Sequence, residues 1–202
     1  MIERPTLIVM AKAPRVGVGK TRLARDIGSV EAWRINRALQ AHTLRVARDG
    51  PWRTLLCVTP DEAVALALPG VWPRAVARLA QGAGDLGERM ARALAGRRNV
   101  AMIGTDCPEL RRAQVAGAFA ALRRAPFALG PAADGGFWLI AARDGSACAR
   151  AMSGVRWSTR HAATDVIANL GAANVALLET LRDVDTAGDL SRMADRMRRD
   201  DR

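Results

Sequence analysis

The chain has 202 residues, half of them hydrophobic and a quarter charged, with a formal net charge of +11. That length buries one good core and is short for two, so a single domain over residues 1–202 is expected. The basic residues are scattered rather than blocked, and no nucleic-acid-binding motif accompanies them. This argues against a dedicated nucleic-acid binder and leaves small anionic ligands as the partners that the charge favours.

Thr6 to Ala11 is a continuous apolar run, as in a strand buried on both faces of a parallel sheet. A Gly/Pro/basic loop, Lys12 to Lys20, follows it. Ser29 to Arg48 reads as a long helix, with Ala32, Ile35, Leu39 and His42 or Thr43 on one side. Arg53 to Thr59 is a second strand, and Pro60-Asp61-Glu62 opens a short helix stopping at Pro69-Gly70. Ala75 to Leu79 is a weaker strand. Gly84-Asp85 starts a helix through Leu94, ended by Gly96. Val100 to Gly104 is a strand, and a helix follows from Arg111 to Arg124. Strands at Phe127 to Gly130 and Phe137 to Ala142 bracket an Asp-Gly-Gly turn. A helix at Ala162 to Leu170 precedes a strand at Val175 to Leu178. Ala187 to Arg199 is the last helix, and the charged end at 198–202 is expected to fray. Strands alternating with helices predict an α/β fold: three layers, a mostly parallel sheet with helices on both faces.

Cys57, Cys107 and Cys148 are odd in number and have no metal-ligand spacing, so they read as buried or spectator thiols of a reducing compartment. No apolar run reaches the length of a membrane span and no leader pattern opens the chain, which predicts a cytoplasmic protein.

Two short runs carry the chemistry. Gly104-Thr105-Asp106-Cys107-Pro108 and Pro131-Ala132-Ala133-Asp134-Gly135-Gly136 each put an aspartate just past an apolar strand, where open α/β sheets bind ligands. Two such carboxylates could hold one divalent cation, Mg²⁺ or Mn²⁺, against a nucleotide's phosphates. Asp106 could instead cap the helix after it, and Asp134 could simply make a turn. Only two of the 31 basic residues are lysines, and both, Lys12 and Lys20, lie in the first loop. With Arg15 and Arg22 they make it a candidate phosphate cradle. Gly17-Val18-Gly19-Lys20-Thr21 imitates a P-loop. However, that motif needs glycine where Pro14 stands, and proline has no N–H to offer a phosphate. Glu88 and Arg89 could reach a nucleobase or ribose, or could only begin a helix. Trp157 is a lid over an acceptor or a core plug. Asp183 and Asp185 precede the last helix, where Thr186 and Asp189 have capping spacing.

Seven phrases in order, Met10 to Arg15, Lys20 to Leu23, Gly84 to Met90, Gly104 to Pro108, Pro131 to Gly136, Trp157 to Thr159 and Asp183 to Thr186, give the chain a resemblance that spans residues 6–190. It resembles the glycosyltransferase-A-like family of unknown-function proteins, some associated with radical-SAM, selenodomain and arsenosugar gene clusters. The resemblance implies a nucleotide-diphospho-sugar transferase-like (GT-A) fold and a first loop that cradles nucleotide phosphates. It also implies a metal on Asp106, with a late carboxylate such as Asp185 beside it. Relatives carry a basic residue near position 18 and a tyrosine after Gly-Gly, where this chain has Val18 and Phe137.

The expected activity is a metal-dependent transfer from a nucleotide-activated donor to a small-molecule acceptor, with Asp134 orienting or deprotonating the acceptor hydroxyl. Glycosyl transfer from a nucleoside-diphosphate sugar is the first form. Nucleotidyl transfer from a nucleoside triphosphate, as in guanylyltransferases, is the alternative. A nucleotide-binding module without turnover is the rival from another class.

Overall fold

The computed structural model of the protein describes residues 4–200. Its strands are β1 (Thr6–Lys12), β2 (Arg53–Thr59), β3 (Ala77–Ala80), β4 (Arg98–Ile103), β5 (Phe127–Pro131), β6 (Phe137–Asp144) and β7 (Val175–Leu177). Its helices are α1 (Thr21–Ile27), α2 (Ser29–Arg48), α3 (Leu86–Leu94), α4 (Arg112–Ala121), α5 (Gly145–Arg150), α6 (Ala162–Leu170) and α7 (Ala187–Asp200). Residues 201–202, the tip of the charged end expected to fray, lie outside the described residues.

The strands form one sheet in the order β3-β2-β1-β4-β6-β5-β7. β6 runs antiparallel to both of its neighbours, and every other pairing is parallel. The reversal follows from the short Asp-Gly-Gly turn, because a parallel return would need a crossover of a dozen residues or more.

The apolar runs are continuous because the sheet is covered on both faces. Leu7, Val9 and Ala11 pack with Leu44 and Ala47 of α2 and with Val115 and Ala118 of α4. Ile8, alternating with them along β1, points the other way and packs with Met90 and Leu94 of α3, Cys148 of α5 and Val166 of α6. Leu7, Ile8 and Val9 are fully buried. This is the three-layer α/β arrangement expected from the alternating pattern.

Three local expectations are corrected. Thr21–Ile27 is helical, a stretch between the first loop and the long helix for which no element is expected. α5, six residues long, fills a stretch that had no assigned element, and Asp144 opens it by accepting from the Ser146 N–H at 2.9 Å. The helix expected after Pro60 is only a 3₁₀ turn, Asp61–Ala65. Among the described residues no helix is long and apolar enough to cross a membrane.

Candidate functional site

β2 and β4 flank β1 on opposite sides, and the chain leaves β1 toward β2 and β3 before returning to β4. Such a switch in strand order opens a crevice beyond the carboxyl ends of the strands. A cavity of about 670 Å³ lies there. Met10 and Lys12 of β1 and Met102 to Cys107 at the end of β4 and just past it border it, as do the turn at Ala132, Asp134 and Gly136 and the start of β6 at Phe137 and Trp138. β6 enters from the same end because it runs antiparallel.

The loop between β1 and α1 is held by α2. Trp33 donates its indole N–H to Pro14 O at 2.9 Å, and Gln40 donates to Lys12 O at 2.9 Å. Gly17 and Gly19 have φ of +76° and +79°, and Lys20 itself adopts the left-handed conformation at φ 47°. That turn sends the Lys20 side chain inward, and it is 6% exposed.

The Lys20 ammonium is held by three oxygens, two through hydrogen bonds to Asp185 and Val184 and one through its ion pair with Asp106. Its partners are Asp106 Oδ1 at 2.7 Å, Asp185 Oδ1 at 2.8 Å and Val184 O at 2.7 Å. Burial works against its charge, but the two carboxylates more than offset this and hold its pKa above the ordinary lysine value. Arg22 stands 3.8 Å from Asp185 Oδ2. The loop carrying Asp183 and Asp185 is pinned to the end of β4 by Val184 N–H on Asp106 O at 3.0 Å. Asp189 Oδ2 accepts from the backbone N–H of Asp185 and of Thr186, at 3.1 and 2.8 Å, so the capping spacing does form a cap.

Lys12, Lys20, Arg22, Asp106, Asp134, Asp183, Asp185 and Trp157 all border the cavity, although Lys20 and Asp185, which touch there, are 165 residues apart in the chain. Asp106 caps no helix: a turn at Cys107–Leu110 intervenes and α4 begins only at Arg112. Asp134 is exposed, and its Oδ1 accepts from Gly136 N–H at 2.8 Å, so it shapes the turn while leaving its other oxygen to the cavity. Gly135 has φ +89°, and a Cβ there would stand 2.6 Å from Arg160 Cα; only glycine lets the turn press against that backbone. Burial, then the charges of Asp134 and Asp185, push the Asp183 carboxyl up to about 6. Trp157 meets Phe137 edge-on, with ring centroids 6.2 Å apart, and Gly87 leaves room for its indole.

Three expected residues are not brought to the cavity. Arg15 lies at the outer tip of the first loop, bridged to Val18. Glu88 is spent in a capping box with Asp85, accepting the Asp85 N–H at 2.8 Å. Arg89 donates to Gly84 O at 2.8 Å, so Leu86 and Met90 are the α3 residues at the cavity wall. Lys20 is not a free phosphate ligand either: its charge is already shared between two carboxylates. Sequence reading missed Asn36, Gln40 and Arg160, which also border the cavity. The buried face of α2 is Ala32, Asn36, Leu39, Gln40, Thr43, Leu44 and Ala47, with Ile35 turned aside. Two amides on a face that is otherwise apolar apart from Thr43 were the available signal, since buried polar groups need partners.

Whether this donor set suits a divalent cation is decided by Lys20. One ammonium nitrogen lies within hydrogen-bond reach of both Asp106 and Asp185, so the two carboxylates already converge on a single cationic atom. All-oxygen donors of this kind suit Mg²⁺ or Mn²⁺, which bind one or two carboxylates and take phosphates and water for the rest. Among the described residues no three His, Cys, Asp or Glu side chains group as metal ligands, so these two carboxylates alone would hold such an ion, with Lys20 standing where it would compete.

The chain belongs to the family DUF2064, described as an uncharacterized protein conserved in bacteria, which matches residues 42–159. It is similar to the crystal structure of a proposed nucleotide-diphospho-sugar transferase from Desulfovibrio desulfuricans G20. The two are 28% identical with a TM-score of 0.82, over 94% of this chain and 85% of that one. Rv0371c of Mycobacterium tuberculosis H37Rv, crystallised as a manganese complex, shares the fold at 18% identity and a TM-score of 0.57, over 95% of this chain and 98% of that one. So does the 2-C-methyl-D-erythritol 4-phosphate cytidylyltransferase of Thermus thermophilus, at 21% identity and a TM-score of 0.53, over 94% of this chain and 96% of that one. No protein of curated function matches the chain. The fold is therefore that of the nucleotide-diphospho-sugar transferases, as the sequence resemblance implied.

Proposed function

We propose that the protein is a transferase that takes a group from a nucleotide-activated donor, with a nucleoside-diphosphate sugar as the donor and a small hydroxylated molecule as the acceptor. The observation that carries this reading is what the one cavity gathers: the cations Lys12, Lys20 and Arg22 and the carboxylates Asp106, Asp134, Asp183 and Asp185 all border it, at the carboxyl ends of the strands. The similarity to the Desulfovibrio protein supports it.

Lys12, whose ammonium has no partner among the described residues, and Arg22 bind the diphosphate of the donor. Their fixed charge offsets the negative charge that grows on the leaving group, in a crevice where water screens it less than in bulk. Asp106 and Asp185 would hold a Mg²⁺ or Mn²⁺ ion, which when bound supplies further counter-charge to the same diphosphate. Asp134 accepts the proton of the acceptor hydroxyl or orients it; its anchored Oδ1 fixes the carboxylate for that task. Phe137 and Trp157 form an apolar wall on the acceptor side.

Nucleotidyl transfer is the second reading, favoured by the fold shared with the cytidylyltransferase. A thermal-shift panel of UDP-, GDP-, ADP- and dTDP-sugars and the four nucleoside triphosphates, each with and without Mn²⁺, separates the two. At about 100 times its dissociation constant a ligand stabilises by roughly 2.7 kcal/mol. Stabilisation by one nucleotide sugar supports glycosyl transfer, preference for a triphosphate moves the reading to nucleotidyl transfer, and silence across the panel overturns both.

A further inference from the structure

One buried side chain at the cavity wall has a donor face with no partner, and the orientation of that face is dictated by a chain of hydrogen bonds. Asn36 is 7% exposed and Gln40 is 1% exposed, one turn apart on α2. The chain begins at Trp72, 1% exposed, whose indole N–H can only donate. It donates to Gln40 Oε1 at 2.7 Å, which fixes the oxygen side of that amide toward Trp72. The Gln40 nitrogen therefore faces away, and it donates to Lys12 O at 2.9 Å and to Asn36 Oδ1 at 3.1 Å. Both of its hydrogens are then used. The oxygen of Asn36 is committed to Gln40, so the Asn36 Nδ2 is the end left for the cavity.

Nothing among the described residues accepts from Asn36 Nδ2. The atom lies beneath Gly19, 3.8 Å from where a Cβ on that residue would stand, and Asn36 borders the cavity together with Lys12, Gly19, Lys20 and Arg22. The nitrogen faces the cavity rather than being sealed off from it, and a carboxamide nitrogen cannot reverse its role by taking or losing a proton. The ligand atom that meets it must be a hydrogen-bond acceptor. The Lys12 ammonium and the Arg22 guanidinium beside it select an anionic one.

We propose that Asn36 is a binding residue for a phosphate oxygen of the donor, held with its N–H₂ toward the cavity by the Trp72–Gln40–Asn36 chain of hydrogen bonds. This rests on the nucleotide-donor reading above. A neutral donor suits the position, because a cation there would have to be desolvated before the ligand arrives. Trp72 does not border the cavity, so its part is that of a positioning residue acting through Gln40.

Calorimetric titration of the full chain with inorganic pyrophosphate, UDP, GDP, uridine and guanosine tests the proposal. Asn36→Asp keeps the size and the oxygen that Gln40 uses but puts an anionic acceptor where the donor was. It is expected to weaken pyrophosphate and the better-bound nucleoside diphosphate by roughly tenfold or more, and to leave the nucleosides unchanged. Asn36→Ser, which leaves room for a water, is expected to lose less. Trp72→Phe frees Gln40 to turn over and should weaken pyrophosphate in the same selective way, whereas a merely structural role would weaken nucleoside and pyrophosphate together. If Asn36→Asp does not fold, as judged by its thermal midpoint, Asn36→Ser and Trp72→Phe carry the test. Unchanged pyrophosphate affinity in the folded variants overturns the role of Asn36 while leaving the donor reading intact, as does an equal loss for nucleosides. A wild-type chain that binds neither pyrophosphate nor a nucleoside diphosphate overturns both together.

Discussion

The Lys20 ammonium and the Asp106 carboxylate stand 2.7 Å apart at the carboxyl end of the sheet, and the same ammonium reaches Asp185 at 2.8 Å. One buried cation thereby joins the first loop, the end of β4 and the segment before α7. It makes the carboxylate pair tolerable, with Arg22 adding a longer contact to Asp185 at 3.8 Å.

Lys20→Met leaves two carboxylates facing each other. Breaking a buried pair costs about 3–5 kcal/mol, but Asp106 and Asp185 are 48% and 35% exposed and water screens them in part. The expected loss is about 2 kcal/mol in urea denaturation. Millimolar Mg²⁺ or Mn²⁺ should restore most of it in the variant and add little to the wild type. A variant that gains nothing from either ion would show that the pair is not a cation site.

Asp134→Asn keeps the acceptor for the Gly136 N–H, so the turn should hold and the thermal midpoint should stay within a degree or two. Transfer should fall by about 10²–10⁴-fold, the usual contribution of a general base. Stabilisation by the nucleotide donor should persist. If turnover is unchanged once a donor is known, Asp134 is not the base.

Gly135→Ala places a Cβ against the Arg160 backbone at a residue with φ +89°. Left-handed strain alone costs on the order of 1–3 kcal/mol, and the collision adds to it. A lowered melting temperature is expected, together with weakened ligand binding, because Arg160 borders the cavity. Gly117→Ala, in α4 with open space around it, serves as the control and should be neutral or stabilising.

Burial pushes the Cys57 thiol up to about 11 and the Cys148 thiol up to about 12, and it raises Cys107 as well. None is a thiolate near neutrality, so alkylation of the folded protein at pH 8 should be slow at all three. Mass spectrometry should find all three modified only after denaturant is added.

Two hydrogen bonds from the Arg156 side chain, with a third from its backbone N–H, hold Asp165 down at about 2. A carboxyl lowered on folding stabilises the protein above its unfolded value near 3.9, and that stability is lost as pH falls toward 2. The wild type should therefore melt above Asp165→Asn at pH 7, and the two should converge near pH 2. A constant gap across this range would mean that the ion pair contributes nothing measurable.

The architecture was legible in the sequence because it rests on local and periodic signals. The apolar runs of β1, β2 and β4 and the alternation with helices are visible without knowing what packs on them, as is the Asp-Gly-Gly turn that reverses β6. Asp106 and Asp134 could be found because the ends of parallel strands share one edge of the sheet. α1 and α5 escaped notice since each is six or seven residues long and is stabilised by its contacts more than by its own propensity.

Partner choice was settled only in three dimensions. Lys20 reads as a phosphate ligand along the chain, yet a residue 165 positions away claims its charge. Arg89 looks available until Gly84 O takes it, and Asn36 looks like a lapse in an apolar face until Trp72 and Gln40 orient it. Composition and spacing determine which backbone segments form, because propensity and burial act within a few residues. Which hydrogens and charges remain free for a ligand is decided by what the fold brings within hydrogen-bond reach, and that closeness bears no relation to separation in sequence.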